Sequence, residues 1–532
     1  MPGGLLNIIS VGNANLILTG NPTKTFFKVA YSKYTNFGLQ KFRMDFDGLR
    51  ELRLTESSKF TFKMKRYGDL LMDTHLVINL PDIWSPMWRP REETGNQWSG
   101  YEFKWIDNLG AQMIEEIEIV CGSQVLQKYS GQYLLAMMQR DFPKEKKELF
   151  DAMTGNVKEL NDPAHNPARK TGAYPNAKYT THSSGAEPSI RGRTLYVPLN
   201  AWFTMDSRCA FPLVALQYQE LVINVTLRPM QDLFQVRDVF NPDDNFPYIK
   251  IRPGESQFQL YRFLQTPPSD DIASDYYENK TSSWNADVHL LSTYCFLSEE
   301  EKATFAAKDQ AYLVKEIHEY DFLNVVGSQR VKLQSTTGMV ADWMWHLQRN
   351  DAFLRNEWSN YSNWPYKHAL PSDVTIDNAS GKSISGDYSS VNHRPIMETC
   401  GIVLGGDYRE VSMPRGVYDY VEKYSQTRGF AEEGLYCYNF CLNTSPFEYQ
   451  PSGAINMGRF KSVELEFTTY NPPVDLDGST VNIECDDDGV PINVTSKPSW
   501  ALYEYNYNLH VFEERYNIVS FVGGNCGMTY AR

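Results

Sequence analysis

Short segments in which apolar and polar residues alternate, separated by turns rich in glycine and proline, recur along almost the whole chain. In "MIEEIEIVCGSQVLQKYSG", for example, Ile114, Ile117 and Ile119 are separated by acidic residues, and Gly122 with Ser123 can form a hairpin turn. An alternation of period two places the apolar side chains on one face of a strand. Together with an aromatic content of 14%, this pattern predicts an all-β protein.

The pattern changes to helical spacing in two short stretches. One predicted helix begins at Pro143 and ends at Gly155, with three apolar residues on one side: Leu149, Phe150 and Met153. Ser298 and Glu301 have the spacing of a capping box, which predicts a second helix in "EEEKATFAAK". We therefore expect one short helical insertion in each half.

The length of 532 residues exceeds what one hydrophobic core normally supports, so at least two domains are expected. The halves also share an internal repeat: "LYVPLNAWF", Pro212 and "ELVINVTL" correspond in order and spacing to "LYCYNFCL", Pro451 and "VELEFTTY". A proline-rich segment lies between them. We predict an N-terminal arm at 1–25, a first sandwich at 26–230, a linker at 231–250 and a second sandwich at 251–532.

The charge and hydropathy of the chain restrict its partners. The formal net charge is −14 without a long basic block, so we expect no direct sequence-specific binding to nucleic acid. No Lys or Arg precedes Lys24, so the N-terminus lacks the charged region of a secretory signal. Nothing later reaches the roughly 18 to 20 apolar residues that span a bilayer. We therefore expect the chain to fold in the cytosol.

The sequence "NLILTGNPTKTFF", residues 15–27, could be taken for a strand that leads into a phosphate-binding loop, since Lys24 lies four residues after Gly20. That loop needs a second glycine directly before the lysine, and Thr23 occupies that position. Pro22 also removes one of the backbone N–H groups that would surround the phosphate. A turn in an extended N-terminal arm is the favoured interpretation.

Other motifs of catalysis or metal binding are missing or incomplete. The nine histidines are scattered, and neither HExxH nor G-x-S-x-G occurs. "ECDDDG", residues 484–489, alternates acidic residues like a calcium loop, but Thr495 stands where the twelfth position needs a bidentate Glu. We therefore predict no enzymatic activity, and no catalytic, cofactor-binding or metal-binding residues.

Cysteine and tryptophan residues fit a structural role. Cys437 and Cys441 would lie about 13 Å apart along one strand at ~3.3 Å per residue, too far to form a disulfide or to share a metal, so buried free thiols are predicted. Trp343 and Trp345 alternate as one face of a strand, which favours core packing over sugar stacking. Six N-x-[ST] sequons are attributed to chance: Asn224, Asn279, Asn360, Asn378, Asn443 and Asn493.

One series of sequences resembles a known family. "GGLLNIISVGNANLILTGNPTKTFFKVAYSKYTNF" is similar to the N-terminal segment of the major capsid proteins of nucleocytoplasmic large DNA viruses. "RYGDLLMDTHLVINLP", "YSGQYLLAMM", "LYVPLNAWF", "LSEEEKATFA", "QPSGAINMGRF" and "YNIVSFVGGNCGMTY" resemble further segments in the order of that family. The similarity extends over about residues 3 to 530.

This resemblance implies two tandem eight-stranded jelly rolls with short helical insertions and long decorating loops. It further implies a structural protein of the virion whose homotrimers form pseudo-hexagonal capsomers, with the N-terminal arm anchoring them in an icosahedral shell. The implied partners are neighbouring capsomers, minor capsid and penton proteins, and an inner membrane reached through minor proteins. Assembly would take place in the host cytoplasm. Extra residues are expected in loops near 85–100, 156–193, 356–392 and 473–498.

Two alternatives remain open. A scaffolding protein of the same double jelly-roll family would form a transient lattice during virion assembly. A β-sandwich that binds or hydrolyses carbohydrate would instead be a monomer, with acidic and aromatic residues converging in a groove.

Overall fold

Eight strands of the first half form two facing sheets in the computed structural model. Their bounds are β1 Phe37–Asp45, β2 Ser58–Lys63, β3 Leu70–Asn79, β4 Ile114–Cys121, β5 Gln124–Tyr129, β6 Thr194–Pro198, β7 Leu221–Leu227 and β8 His289–Leu297. The order in sheet I is β1-β8-β3, with β6 and the short strand Phe211–Pro212 both pairing with β3, and the order in sheet II is β2-β7-β4-β5. All of these pairs are antiparallel.

Eight strands of the second half repeat this arrangement. Their bounds are β9 Gln310–Val325, β10 Ser328–Lys332, β11 Met339–Arg349, β12 Met397–Leu404, β13 Asp407–Pro414, β14 Leu435–Asn439, β15 Val463–Thr469 and β16 Tyr507–Val522. Sheet III has the order β9-β16-β11-β14, and sheet IV has the order β10-β15-β12-β13. Ile455–Asn456 extends sheet III beside β11, and Asn525–Met528 extends it beside β16.

The structure describes the following residues: 2–46, 48, 51–88, 99–166, 173–177, 186–239, 247–251, 254–255, 258–268, 277–334, 337–368, 375–377, 382–384, 393–472, 481–485, 491–496 and 505–530.

Each strand of the first half has a counterpart eight strands later in the second half. Sheets II and IV have the same order, and so do the first three strands of sheets I and III. The two halves are therefore eight-stranded jelly rolls in tandem, which confirms the predicted fold class. The alternation seen in the sequence produces their cores: in β2 and β7 every second residue is buried.

The segment expected to be a linker, 231–250, is built into the first roll. Phe234–Arg237 pairs with Phe103–Trp105 and with Tyr248–Ile249 in a three-stranded sheet. The side chains of Phe234 and Val236 are fully buried in the core. Prolines flank this sheet without breaking it, because they lie outside its paired residues.

The strand β8 also differs from expectation. It lies in the range 251–532 predicted for the second sandwich, yet it is hydrogen-bonded between β1 and β3 in the first roll. The last strand of the first roll is thus separated from β7 by a long connecting segment. At the other end, β1 begins only at Phe37, so residues 26–36 continue the N-terminal arm.

The longer helices are α1 Gly3–Ile9, α2 Gly131–Asp141, α3 Lys144–Thr154 and α4 Glu299–Ala307. Both predicted helices exist, as α3 and α4. The helix α2, which directly precedes α3, was not predicted as a separate helix. Helix α3 ends at Gly155, whose φ of 83° suits glycine. It buries Phe150 and Thr154, four residues apart, while Leu149 is exposed, contrary to expectation.

The expected capping box of α4 is not formed. Ser298 does occupy the N-cap position, but its hydroxyl accepts no capping hydrogen bond. Its carbonyl oxygen instead accepts from the N–H of Lys302.

Shorter helical segments are Asn13–Asn15, Leu16–Thr19, Leu109–Gln112, Lys158–Asn161, Pro163–His165, Trp202–Met205, Ser207–Cys209, Leu213–Ala215, Met230–Asp232, Leu260–Arg262, Ala352–Leu354, Val417–Val421, Glu422–Gln426 and Met457–Arg459. The remaining short strands are Met87–Trp88, Ser99–Gly100, Thr375–Asp377, Lys382–Ile384, Val481–Cys485 and Pro491–Ser496. No helix among the described residues is long and apolar enough to cross a membrane.

Candidate functional site

The contact between the two rolls covers the outer face of sheet III. The strand β5 and the helix α2 of the first roll lie against this face, and we call the arrangement the inter-roll contact. The side-chain amide of Gln127 on β5 donates to the carbonyl oxygen of Lys315 on β9 at 3.2 Å. The backbone N–H of Ser130 donates to the Glu319 carboxylate at 2.7 Å. All eleven residues of α2 are buried.

A buried ionic cluster lies at the centre of the inter-roll contact. The Arg140 guanidinium on α2 is 2.5 Å from the Asp342 carboxylate on β11 and 2.8 Å from the Glu514 carboxylate on β16. It also pairs with Asp141 at 2.7 Å, and Lys315 pairs with Glu514 at 2.6 Å. Because Arg140, Asp141 and Asp342 have no exposed side-chain surface, each needs its partners to remain charged.

The ionisation of this cluster follows from burial and from its cations. Burial raises the pKa of Asp342 to about 6, although Arg140 and Lys315 favour its charged form. Burial also opposes ionisation of Glu514, but Arg140 and Lys315 hold the pKa of that carboxyl well below its usual range. The Tyr133 hydroxyl donates to Glu514 at 2.8 Å, which adds a neutral hydrogen bond to the same carboxylate.

Close packing of a loop from the second roll completes the inter-roll contact. The N–H of Gly429 donates to the carbonyl oxygen of Arg140 at 2.8 Å. A Cβ atom at position 429 would lie 2.5 Å from that same oxygen, closer than van der Waals contact permits. A glycine is therefore required where this loop crosses the end of α2.

The counterparts of β5 and α2 in the second roll are uncovered. The counterpart of β5 is β13, in which six of the eight residues are exposed, two are partly buried and none is buried. A helical segment follows it directly, first as the π-helical turn Val417–Val421 and then as Glu422–Gln426. This segment exposes three large side chains: Tyr420 at 55%, Val421 at 56% and Tyr424 at 92%. We call it the uncovered helix surface.

The counterpart of the covered face is covered only in part among the described residues: α4 packs against one portion of it, and other side chains of that face remain exposed. Sheet I of the first roll corresponds to sheet III, and β1 corresponds to β9. The outer side of β1 exposes Phe37 at 51% and Leu39 at 53%, whereas Met44 on the inner side is buried. On β6, Tyr196 is exposed between the buried residues Leu195 and Val197. We call Phe37, Leu39 and Tyr196 the uncovered strand surface.

A cavity of about 830 Å³ adjoins the uncovered helix surface. Its lining includes Tyr361, Tyr420, Lys423, Tyr424 and Phe430. Lys423 is held in place by the Asp419 carboxylate at 2.6 Å, one turn earlier in the same helical segment. The aromatic residues of the uncovered helix surface thus border a depression into which side chains of another protein can insert.

The N-terminal arm is a third uncovered region. All described residues from 2 to 36 are exposed, including those of α1. The large apolar residues exposed in this arm are Leu5, Leu6, Ile8, Ile9, Val11, Leu16, Ile17, Leu18, Phe26, Phe27, Val29, Tyr31 and Tyr34. So many exposed apolar side chains in one segment indicate a binding partner outside the chain.

The structure contradicts a phosphate-binding loop at residues 15–27. Leu16–Thr19 is a short helix rather than a strand, and Gly20 follows with a φ of −73°. The backbone after it is neither strand nor helix up to Phe37, so the strand, loop and helix of a nucleotide site are missing from this stretch. The interpretation as part of an arm agrees with the structure.

The other sequence candidates have structural explanations. Trp343 and Trp345 are fully buried in the core of the second roll, as predicted. Cys437 and Cys441 are buried free thiols, also as predicted. Asp486, Asp488 and Gly489 of the acidic turn lie outside the described residues. Within the described residues, no group of three or more His, Cys, Asp and Glu side chains could hold a metal ion.

The described sequons differ in their surroundings. Asn224 lies within β7 and donates to the Glu118 carboxylate at 3.0 Å, and Asn360 is buried. Asn443 is partly buried, Asn279 is exposed, and Asn493 lies in Pro491–Ser496. Asn378 lies outside the described residues.

The sequence reasoning did not identify the two uncovered surfaces. A signal was present at the uncovered helix surface, because Tyr420 and Tyr424 are four residues apart and therefore share one helix face. The signal for the uncovered strand surface was weak, since an alternating strand with one apolar outer face cannot be distinguished from a strand inside a sandwich.

Family models match both rolls. The model described as "Major capsid protein N-terminus" matches residues 25–263, and the model described as "Large eukaryotic DNA virus major capsid protein" matches residues 301–527. Together they cover most of the chain. The gap between them contains β8, the closing strand of the first roll.

Individual proteins agree with the family models. The major capsid protein of Phaeocystis pouchetii virus is 24% identical over 517 residues, covering 89% of this chain and 94% of the relative. The major capsid protein of Paramecium bursaria Chlorella virus 1 is 22% identical over 541 residues, covering 100% of both chains. Among solved structures, PBCV-1 VP54 gives a TM-score of 0.61 at 17% identity over 96% of this chain and 100% of that one. The Faustovirus major capsid protein gives 0.60 at 12% identity over 97% and 96%.

Proposed function

Because the chain belongs to the family of major capsid proteins of large eukaryotic DNA viruses, we propose that it is the structural subunit of an icosahedral capsid and that three copies form one capsomer. This role requires no catalysis. One observation carries the trimer: the inter-roll contact is made once within the chain, and the equivalent surfaces at both ends of the chain are uncovered.

The trimer follows from repeating the inter-roll contact between copies. Within one chain, β5 and α2 of the first roll cover the outer face of sheet III in the second roll. By equivalence, β13 and the uncovered helix surface of one copy cover the outer face of sheet I, with its uncovered strand surface, in the next copy. Three chains supply six similar rolls, so the ring closes with a nearly hexagonal outline although its true symmetry is three-fold.

The chemistry of the two uncovered surfaces suits this contact. Tyr420, Val421 and Tyr424 present aromatic and aliphatic area, and Phe37 with Leu39 also presents aromatic and aliphatic area. Burying such side chains contributes about 1.5 to 3 kcal/mol each when burial is complete. The intermolecular contact lacks a counterpart of Arg140, since Asp419 and Lys423 are paired within their own helical segment. We therefore expect the contact between copies to be apolar where the contact within the chain is ionic.

The N-terminal arm is assigned to contacts beyond the trimer. Its exposed apolar residues can become buried against neighbouring capsomers, or against minor capsid and penton proteins, when the shell assembles. The arm then loses its conformational entropy only at assembly. In this proposal an inner membrane is reached through minor proteins, and assembly takes place in the host cytoplasm.

Light scattering on the purified protein tests the trimer. A subunit mass of 61.2 kDa predicts a species of about 184 kDa, with a nearly hexagonal outline in negative-stain images. The double variant Tyr420→Asp with Tyr424→Asp should give a folded monomer, because two carboxylates would be buried at the contact. The matched control is Leu323→Asp. Leu323 is also an exposed apolar residue, but it lies on β9, outside the two uncovered surfaces.

Two results would contradict this proposal. One is a wild-type protein that is monomeric at all concentrations, which would raise the carbohydrate-binding alternative. The other is a double variant that remains a trimer, which would place the contact elsewhere on the surface. A trimer that assembles a lattice only transiently on a membrane would instead favour the scaffolding protein.

A further inference from the structure

Two cysteines from opposite ends of the chain meet where the rolls contact each other. Cys121 is the last residue of β4 in the first roll, and Cys526 lies in Asn525–Met528, the last strand of the second roll. Both residues contact the same side-chain oxygen of Gln219 and belong to the same buried cluster, so the two cysteines are neighbours. Both are free and buried, with exposures of 0% and 4%.

A shared neighbour fixes the two cysteines in place. The side-chain oxygen of Gln219 accepts from the Cys121 thiol at 3.5 Å and from the backbone N–H of Cys526 at 2.7 Å. The side-chain oxygen of Gln124 accepts from the N–H of Met528 at 3.2 Å. The backbone of the final strand around Cys526 is therefore held against the first roll by hydrogen bonds that do not involve the Cys526 thiol.

The surrounding hairpins hold the same arrangement. The carbonyl oxygen of Gly524, in the turn before Cys526, accepts from the N–H of Gln217 at 2.9 Å. A Cβ atom at Gly524 would lie 2.9 Å from the Gln217 side chain, so the two segments are in close contact. The hairpin that ends the chain thus packs directly on the first roll.

We propose that Cys121 and Cys526 are a redox pair that forms a disulfide between the two jelly rolls when the protein leaves a reducing compartment. The oxidant is a low-molecular-weight disulfide such as oxidised glutathione. The setting, release of a virion from the cell, rests on the proposed function; the chemistry of the pair does not.

The exchange proceeds in two balanced steps. Local opening of the final hairpin first exposes the pair to solvent. The Cys121 thiol then loses its proton to solvent, its thiolate attacks one sulfur of oxidised glutathione, the S–S bond of glutathione breaks, and one glutathione thiolate leaves and takes up a proton. The Cys526 thiol then loses its proton, its sulfur attacks the Cys121 sulfur of the mixed disulfide, and the second glutathione leaves. Two protein thiols and one glutathione disulfide are converted into one protein disulfide and two glutathione thiols.

The environment makes Cys121 the attacking residue. The neighbouring Cys526 thiol lowers the pKa of Cys121, against the effect of burial, and the nearby Arg66 guanidinium acts in the same direction. The Cys121 thiol and burial together raise the pKa of Cys526, which therefore stays protonated until the second step. Arg66 is exposed and donates to the carbonyl oxygen of Gln219 at 3.0 Å.

The disulfide would close a loop of roughly 400 residues, a length for which cross-linking strongly restricts the unfolded chain. It would also tie the final hairpin to the first roll, so that sheet III could not separate from the inter-roll contact without breaking a covalent bond. Oxidised subunits should therefore resist unfolding more than reduced subunits.

The test equilibrates the full-length protein at pH 8 with glutathione at increasing ratios of oxidised to reduced form, followed by alkylation under denaturing conditions. We expect the number of free thiols to fall by two from the total of eight, and mass spectrometry to find one cross-linked peptide joining Cys121 and Cys526. Cys121→Ser and Cys526→Ser should lose no thiol pair. Cys209→Ser is the matched control, a buried cysteine with no thiol neighbour among its described contacts, and should still lose two.

A second readout guards against variants that fold poorly. The guanidinium midpoint of the wild type should rise on oxidation, whereas the midpoint of the Cys121→Ala, Cys526→Ala double variant should not change. Eight free thiols under the most oxidising mixture would overturn the proposal. So would glutathione bound to Cys121 without the cross-link, or a cross-link that leaves the midpoint unchanged.

Discussion

The two rolls contain equivalent strands, yet equivalent surfaces are buried in one roll and exposed in the other. After β5 the helix α2 is completely buried, and its ion pairs reach carboxylates that lie more than 200 positions away in the sequence. After β13 the corresponding helical segment exposes Tyr420 and Tyr424, and its ion pair between Asp419 and Lys423 spans a single turn. The surface that is covered within the chain uses charges that depend on distant partners, whereas the uncovered surface pairs Asp419 and Lys423 locally and exposes its aromatic residues.

The largest expected effect is at the covered side of this comparison. Arg140→Leu leaves Asp141, Asp342 and Glu514 buried with Lys315 as their remaining cation, so the free energy of unfolding should fall by about 3 to 5 kcal/mol. Urea denaturation of the purified protein measures this. Arg208→Leu removes an exposed arginine paired with Asp206 and should change the stability little. Equal losses in the two variants would show that the cluster does not hold the rolls together.

The next largest effect should be at the uncovered strand surface. Phe37→Asp together with Leu39→Asp places two carboxylates at the contact between copies, so the trimer should dissociate at a protein concentration at least about tenfold higher than for the wild type. Sedimentation at several concentrations measures the shift, and circular dichroism checks that the monomer remains folded. Lys59→Asp, on the exposed side of β2, is the control. An unchanged trimer would show that the uncovered strand surface is not the partner of the uncovered helix surface.

A smaller effect is expected from a histidine between the rolls. His368 of the second roll is 2.9 Å from the Asp107 carboxylate of the first, and this hydrogen bond raises the pKa of His368. Because the raised pKa belongs to the folded state, the stabilisation is fully present below the unfolded value of about 6.5 and is lost as the pH rises through the folded value.

The wild type should therefore lose stability relative to His368→Gln between pH 6 and pH 9. The loss should be below about 1 kcal/mol, since the His368 side chain is largely exposed. Urea unfolding at several pH values measures the difference between the two proteins. A difference that grows in the opposite direction would contradict the assigned pair.

The smallest effect on the trimer should come from the arm. The described part of the segment 1–25, residues 2–25, is entirely exposed, so the deletion variant should remain a trimer with unchanged thermal stability. Lattice formation should fail if the arm provides the contacts between capsomers that we propose. Electron microscopy of assembly reactions measures the lattice, and light scattering measures the trimer. If the deletion abolished the trimer, the arm would have to be assigned to the contact between subunits and not to the lattice.

Much of the fold could be predicted from local patterns. Strands such as β7 and β15 alternate in burial as their sequences alternate, and Trp343 with Trp345 is buried as expected. Errors arose where the answer depended on distant residues. Leu149 is exposed because α3 packs through Phe150 and Thr154.

The assignment of β8 to the wrong roll has the same origin. Its partners on β1 lie roughly 250 positions earlier in the sequence, and no local feature of the strand specifies which sheet it joins.

The sequence alone determined the all-β class, the duplication, the inward faces of the strands and the resemblance to a capsid family, because each of these depends on residue type and short spacing. Only the tertiary structure decided which roll receives β8, that Arg140 is buried among three carboxylates, that Cys121 meets Cys526, and which of two equivalent surfaces is covered. The physical reason is that burial and pairing are properties of contacts between segments hundreds of residues apart, and an alternating strand has the same local pattern whether its outer face meets its own chain, another copy or water.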